Sequence, residues 1–163
     1  MEEVEYLNFT SWWWEGQEKH IISLSFHTVE QVAFVSIDNN ESQIIEKLAN
    51  LQGKTVEKWD LFIGSEVDIF GKPTYLKQCD AATAEWNQRR GRQFIHIKNR
   101  LKEELEKYDT KPLPKKLLLS YDTNIIGGCN LRGIINQIIE IKEKLSFYRP
   151  KLALKIAPPD LFI

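Results

Sequence analysis

Excess charge, cysteine and long apolar runs are all scarce in this chain. Its 163 residues carry 22 Lys and Arg against 23 Asp and Glu, a formal net charge of -1. That balance argues against a dedicated nucleic-acid binder, which needs a basic excess or a basic face. The two cysteines, Cys79 and Cys129, show no CxxC spacing and no His or Cys neighbours at metal-site spacing. They are expected to be reduced thiols of a cytosolic protein. His20, His27 and His96 lack i, i+4 pairing, so no metal site is expected from them. Apolar runs fall far short of the ~20 residues that span a bilayer. The opening residues, MEEVEYLNFT, have no basic region before an apolar run, so no signal peptide is expected. The sequon matches at Asn8 and Asn40 are then chance. Catalytic motifs are scarce too. No GxSxG or Cys/His pairing is legible, and Gly127-Gly128 is not followed by GK[ST]. Glu66 and Asp68 alternate with Val67 and Ile69, which places both on a solvated strand face. Neither an enzyme nor a cofactor is expected.

Apolar content of 42% and aromatic content of 11% are enough for a real core. The first half reads as strands: Val4 to Phe9, Ile21 to Phe26, Gln31 to Ile37, then segments around Leu61, Val67–Phe70 and Thr74–Leu76. Asp38-Asn39-Asn40 is a turn. Gln43 to Leu51 is ambiguous, because Ile44, Ile45, Leu48 and Leu51 also fit a helical period. Gly64 and Gly71 sit where strands turn sharply, and at least one is expected to have positive φ.

The period then changes. Asp80 or Thr83 can cap a helix to about Tyr108, with an apolar stripe from Trp86 through Phe94, Ile97, Leu101 and Leu105. Gly91 within it marks a kink or a close packing point. Pro112 and Pro114 stop this helix. Leu117 to Tyr121 reads as one more strand. Asn130 caps a second helix to about Tyr148, with Ile134, Ile138, Ile141 and Leu145 on its face. The two helices are expected to pair antiparallel. Pro158-Pro159 favours an extended tail. That tail, from about Lys151, is expected to dock on another protein through Leu161, Phe162 and Ile163, so that its deletion leaves the domain folded.

Trp12-Trp13-Trp14 reads as a strand in which Trp12 and Trp14 enter the core and Trp13 remains for contact. Arg89, Arg90 and Arg92, with Lys98, Arg100 and Lys102, form the one local basic excess. It is either a solvated helix face or a contact for an acidic protein surface or anionic lipid.

The stretch WDLFIGSEVDIFGKPTYLKQCDAAT, residues 59–83, carries the sharpest pattern. Its Asp60-Leu61, Gly64, Val67, Ile69-Phe70-Gly71-Lys72, Cys79-Asp80 and Thr83 resemble the closing half of the DM-ten domain of ciliary axoneme proteins. Pro73-Thr74 departs from that pattern, where an apolar or aromatic residue usually follows the basic one. The resemblance covers residues 1 to about 88. It implies an α+β, pleckstrin-homology-like fold: a bent antiparallel sheet or small barrel closed by a long C-terminal helix, here with a second helix as extension. The implied domains are residues 1–108 and a helical extension with tail, residues 109–163. The implied function is non-catalytic association with tubulin in doublet microtubules and with other axonemal proteins, in the cytoplasm, cytoskeleton and cilium or flagellum. The alternative is a soluble adaptor that binds a peptide or a phosphoinositide headgroup. The loop Glu15 to His20 is weakly acidic and leans away from lipid.

Overall fold

Leu7, Phe9 and Ser11 are buried while Tyr6, Asn8 and Thr10 are more open, and this alternation sets the first strand. A computed structural model describes residues 3–163 and divides into two units. The first holds residues up to Gln88 together with Thr123–Cys129, and the second holds Arg89–Asp122 and Asn130–Ile163. Neither unit is one continuous stretch.

In the first unit, β1 (Tyr6–Glu15) and β2 (Glu18–His27) make a long hairpin. β3 (Ala33–Ile37), β4 (Gln43–Ile45) and β7 (Gln78–Cys79) complete a five-stranded antiparallel sheet in the order β4-β3-β2-β1-β7. The register Leu7↔Phe26, Phe9↔Leu24 and Ser11↔Ile22 gathers the apolar residues on one face. Leu48, Val56, Leu61, Val67, Ile69 and Leu76 are buried in the same unit. Trp59 stacks on Trp86, with centroids 5.6 Å apart and planes at 16°. Truncating a fully buried ring such as Trp86 to Ala costs about 3–5 kcal/mol.

The sheet does not close into a barrel, contrary to one form of the sequence expectation. β5 (Glu66–Ile69) and β6 (Lys72–Tyr75) form a separate two-stranded ladder. β6 reaches β1 through side chains: the Ser11 hydroxyl donates to the Tyr75 carbonyl, and Trp13 Nε1 donates to Thr74 Oγ1 at 2.9 Å. Side-chain bonds stand where a closing ladder would run. The ambiguous segment after Asn40 resolves as β4, since Ile45 and Ile44 pair with Ala33 and Phe34. Phe70 and Gly71, with φ of 52° and 82°, turn β5 into β6. Two successive left-handed residues are the type I′ geometry that matches strand twist. Gly64 has φ of 101°, and its N–H donates to Leu76 O at 2.8 Å. Both glycines thus have the positive φ expected of at least one.

α1 (Ala81–Glu106) is a single helix that continues through a buried Gly91. In the second unit it is joined by α2 (Lys115–Leu118), α3 (Leu131–Tyr148) and α4 (Pro150–Ile156). Asn130 caps α3 as expected, accepting from Gly133 N at 3.1 Å. The strand expected over Leu117–Tyr121 is absent. Lys98 Nζ and Gln137 Nε2 instead donate to the Leu119 carbonyl at 3.0 and 2.9 Å. Side chains satisfy this backbone, so it needs no ladder.

Those bonds also correct the helix pairing. Lys98 of α1 and Gln137 of α3 meet at Leu119, and further along, Tyr108 just past the end of α1 stacks on Tyr148 of α3 at 5.8 Å. α1 and α3 therefore run parallel. The connection between them is long and returns alongside α1 before α3 starts.

The tail is not extended. Pro150 occupies the first turn of α4, where its missing N–H costs nothing. Ala153, Ile156 and Ala157 are buried, and Phe162 packs edge-to-face on Phe94 at 5.3 Å. The extended tail expected from Pro158-Pro159 is thereby corrected, and Phe162 has a partner within the chain. Deleting residues 151–163 should destabilise the chain by at least about 3 kcal/mol, read from a urea melt. An unchanged midpoint would return the tail to a docking role. Replacing Gly64 or Gly71 with Val should cost more than ~1 kcal/mol in the same assay. Tolerance at both positions would show that the turns do not depend on glycine.

Candidate functional site

Of the 59–83 stretch, Cys79, Asp80 and Thr83 meet Asn8 and Phe9 at the seam between β1, β7 and the start of α1. Asp60 ends a 3-10 turn over Lys58–Asp60, and its carboxylate accepts from Glu57 N at 2.8 Å. Leu61 is buried. Cys79 pairs with Phe9 in the sheet, and its Sγ would lie 2.7 Å from a Cβ built on Gly127. Burial pushes the Cys79 thiol up, and the charge of Asp80 adds to that. Both cysteines are free, as expected. Asp80 Oδ1 accepts from Thr83 N at 2.9 Å and so caps α1. Its other oxygen accepts from Asn8 Nδ2 at 2.9 Å, and Thr83 Oγ1 accepts from Asn8 N at 2.9 Å. Burial raises the Asp80 carboxyl, but the bonds from Thr83 and Asn8 outweigh it and hold the group below its usual range. Each of these groups is engaged in backbone or cap geometry.

The tryptophan run falls in the opposite phase to the one expected. Trp13 shares the face of Leu7, Phe9 and Ser11, while Trp12 and Trp14 lie on the other face. Trp13 is half-buried, bonded to Thr74 and covered by Lys72 Nζ at 4.7 Å from its centroid. Trp14, at 62% exposed, is the open ring, and Trp12 is half-buried beneath lysine ammonium groups. Trp14 is therefore the ring open to solvent, and Trp13 is the one engaged within the chain. Lys19 and Lys77 were not legible as members of this group. The hairpin register that sets Trp14 opposite Lys19 was the available signal.

The basic stretch on α1 is partly absorbed. Arg89 and Arg90 are half-buried and both interact within the chain, Arg90 donating to Gln93 Oε1 at 2.8 Å. Burial lowers the Arg90 guanidinium. Arg92 is exposed. Of the expected tail anchors, Leu161 and Phe162 are half-buried and Ile163 is 88% exposed. The second unit carries a cleft of about 380 Å³ lined in part by Lys116, Tyr121, Gln137 and Glu140, in which Lys116 and Glu140 pair at 2.8 Å.

A cluster of acids surrounds His20 at the hairpin end. His20 Nδ1 lies 2.6 Å from Asp38 Oδ2, and its Nε2 lies 3.5 Å from Glu15 and 3.8 Å from Glu18. Among the described residues no group of His, Cys, Asp and Glu could hold a metal ion, and no helix is long and apolar enough to cross a membrane. In comparison with known proteins, no family model and no curated protein matches this chain.

The His20 cluster makes a pH-dependent contribution to folding. The Asp38 hydrogen bond, ahead of the Glu15 and Glu18 charges, raises the His20 imidazolium above its usual value. Its stabilisation is fully present below the unfolded value of about 6.5 and is lost as pH rises through the raised folded value. Melting temperatures taken upward from about pH 6 should fall through that window in the parent chain. His20→Gln should flatten this part of the profile, and an unaltered slope would remove His20 as its source.

Proposed function

We propose that this chain is a non-catalytic structural protein of the axoneme, associated with doublet microtubules through a DM-ten-like, pleckstrin-homology-like first unit. The observation that carries the reading is the use made of the motif. Asp60, Gly64, Gly71, Cys79, Asp80 and Thr83 are engaged in turns, strand pairing and a helix cap. A residue pattern devoted to backbone geometry specifies a scaffold, not a reacting group. The five-stranded antiparallel sheet followed by a long helix supports the same assignment. On this reading the protein resides in the cytoplasm and cytoskeleton, at the cilium or flagellum, with tubulin and other axonemal proteins as partners.

The rival reading is an adaptor for a peptide or a phosphoinositide headgroup. Glu15, Glu18 and Asp38 around His20 disfavour an anionic headgroup at the β1–β2 turn. Co-sedimentation of the full chain with taxol-stabilised microtubules, run beside flotation with phosphoinositide-bearing liposomes, separates the two. Pelleting with microtubules is expected. Flotation without pelleting would overturn the axonemal reading.

A further inference from the structure

The β1–β2 hairpin sorts its charges by face. Glu15, Glu18 and His20 fall on the face of Trp13, whereas Lys19 falls on the face of Trp12 and Trp14. On that second face the ammonium groups of Lys19 and Lys77 lie 4.4 and 4.5 Å from the centroid of the Trp12 ring. Lys77 also donates to the Trp12 carbonyl at 3.4 Å. Lys72, by contrast, is neutralised by Glu15. Lys19 and Lys77 are in no ion pair among the described residues. Two like charges thus flank one indole without a counter-charge, which carboxylates of a partner would relieve. Cation–π contact holds each ammonium in place beforehand. Beside them Trp14 adds an exposed, rigid apolar surface of the kind enriched at binding hot spots.

We propose that this face of the hairpin docks an acidic segment of a partner protein, with Glu or Asp carboxylates pairing with Lys19 and Lys77 and the adjoining chain lying over Trp14. The chemistry favours a carboxylate over a phosphate. Phosphate sites converge backbone N–H groups or a helix N-terminus on the anion, and here the backbone is committed to the β1–β2 ladder from Tyr6 to Glu15. An anionic membrane is disfavoured because the hairpin end would bring Glu15 and Glu18 against like charge. The surface stands apart from the microtubule reading, since it requires only an acidic segment in whatever protein the module meets.

The test uses the full chain and a fluorescent decaglutamate peptide, read by anisotropy at low and at physiological ionic strength. Parallel arms use inorganic phosphate and phosphatidylserine vesicles. Saturable peptide binding that weakens with salt is expected. Lys19→Gln with Lys77→Gln, which keeps most of each stem over Trp12, should weaken it at least about ten-fold. Trp14→Ala should weaken it several-fold. Lys111→Gln with Lys115→Gln, remote in the sequence from this face, should leave it unchanged. Circular dichroism melts establish that each variant is folded. Absence of peptide binding to the parent chain would overturn the proposal. So would equal affinity in the Lys19/Lys77 double variant, or binding confined to phosphate or vesicles.

Discussion

Asn8 is held from two directions by the residues that start α1. Its backbone N–H donates to Thr83 Oγ1, and its side-chain amide donates to the Asp80 carboxylate that caps the helix. The middle of β1 and the first turn of α1 are thereby one object. Moving the helix start by one residue would leave the Asn8 N–H without its acceptor and the helix without its cap. An orphaned buried N–H costs about 1–3 kcal/mol, and a lost cap costs about 1 kcal/mol more. The placement of the first turns of α1 against β1, and with it the Trp59–Trp86 stack, depends on this junction.

Much of the first unit was legible because alternation is a strong signal. Leu7 and Phe9 against Leu24 and Phe26 leave one register that buries both sets. The bounds of α1 and α3 were equally clear, since Asp80 and Asn130 are caps and the apolar stripes follow at helical spacing. The phase of the tryptophans was not legible. Three successive aromatic residues contain no alternation, and Ser11 reads as an outward polar residue. It is buried because its hydroxyl has the Tyr75 carbonyl to donate to. A local pattern cannot reveal a partner that lies far along the chain.

The second unit is less legible for related reasons. Proline after Tyr148 reads as a stop, yet Pro150 both follows α3 and opens α4. The parallel course of α1 and α3 depends on Leu119, a residue without regular structure whose carbonyl receives two side-chain donors. Spacing within a helix says which face is apolar, not which way its neighbour points. The lysine–tryptophan face is not legible in the local sequence because it is assembled across strands. Lys19 reaches Trp12 diagonally in the hairpin, and Lys77 arrives from the approach to β7.

The first unit is completed by a late visitor. Residues Thr123–Cys129 belong to it although the chain has by then left it for α1 and the connection beyond. Ile63 N donates to the Gly127 carbonyl at 2.9 Å, and the Asn87 side chain exchanges two bonds with the Cys129 backbone, at 3.0 and 2.9 Å. A polypeptide emerging from the ribosome therefore cannot finish its first unit until well after the sheet strands are made. For the same reason no single cut yields that unit intact. A fragment ending after α1 would expose the Ile63 amide and the Asn87 carboxamide, and would present to its surroundings a groove shaped for its own missing strip.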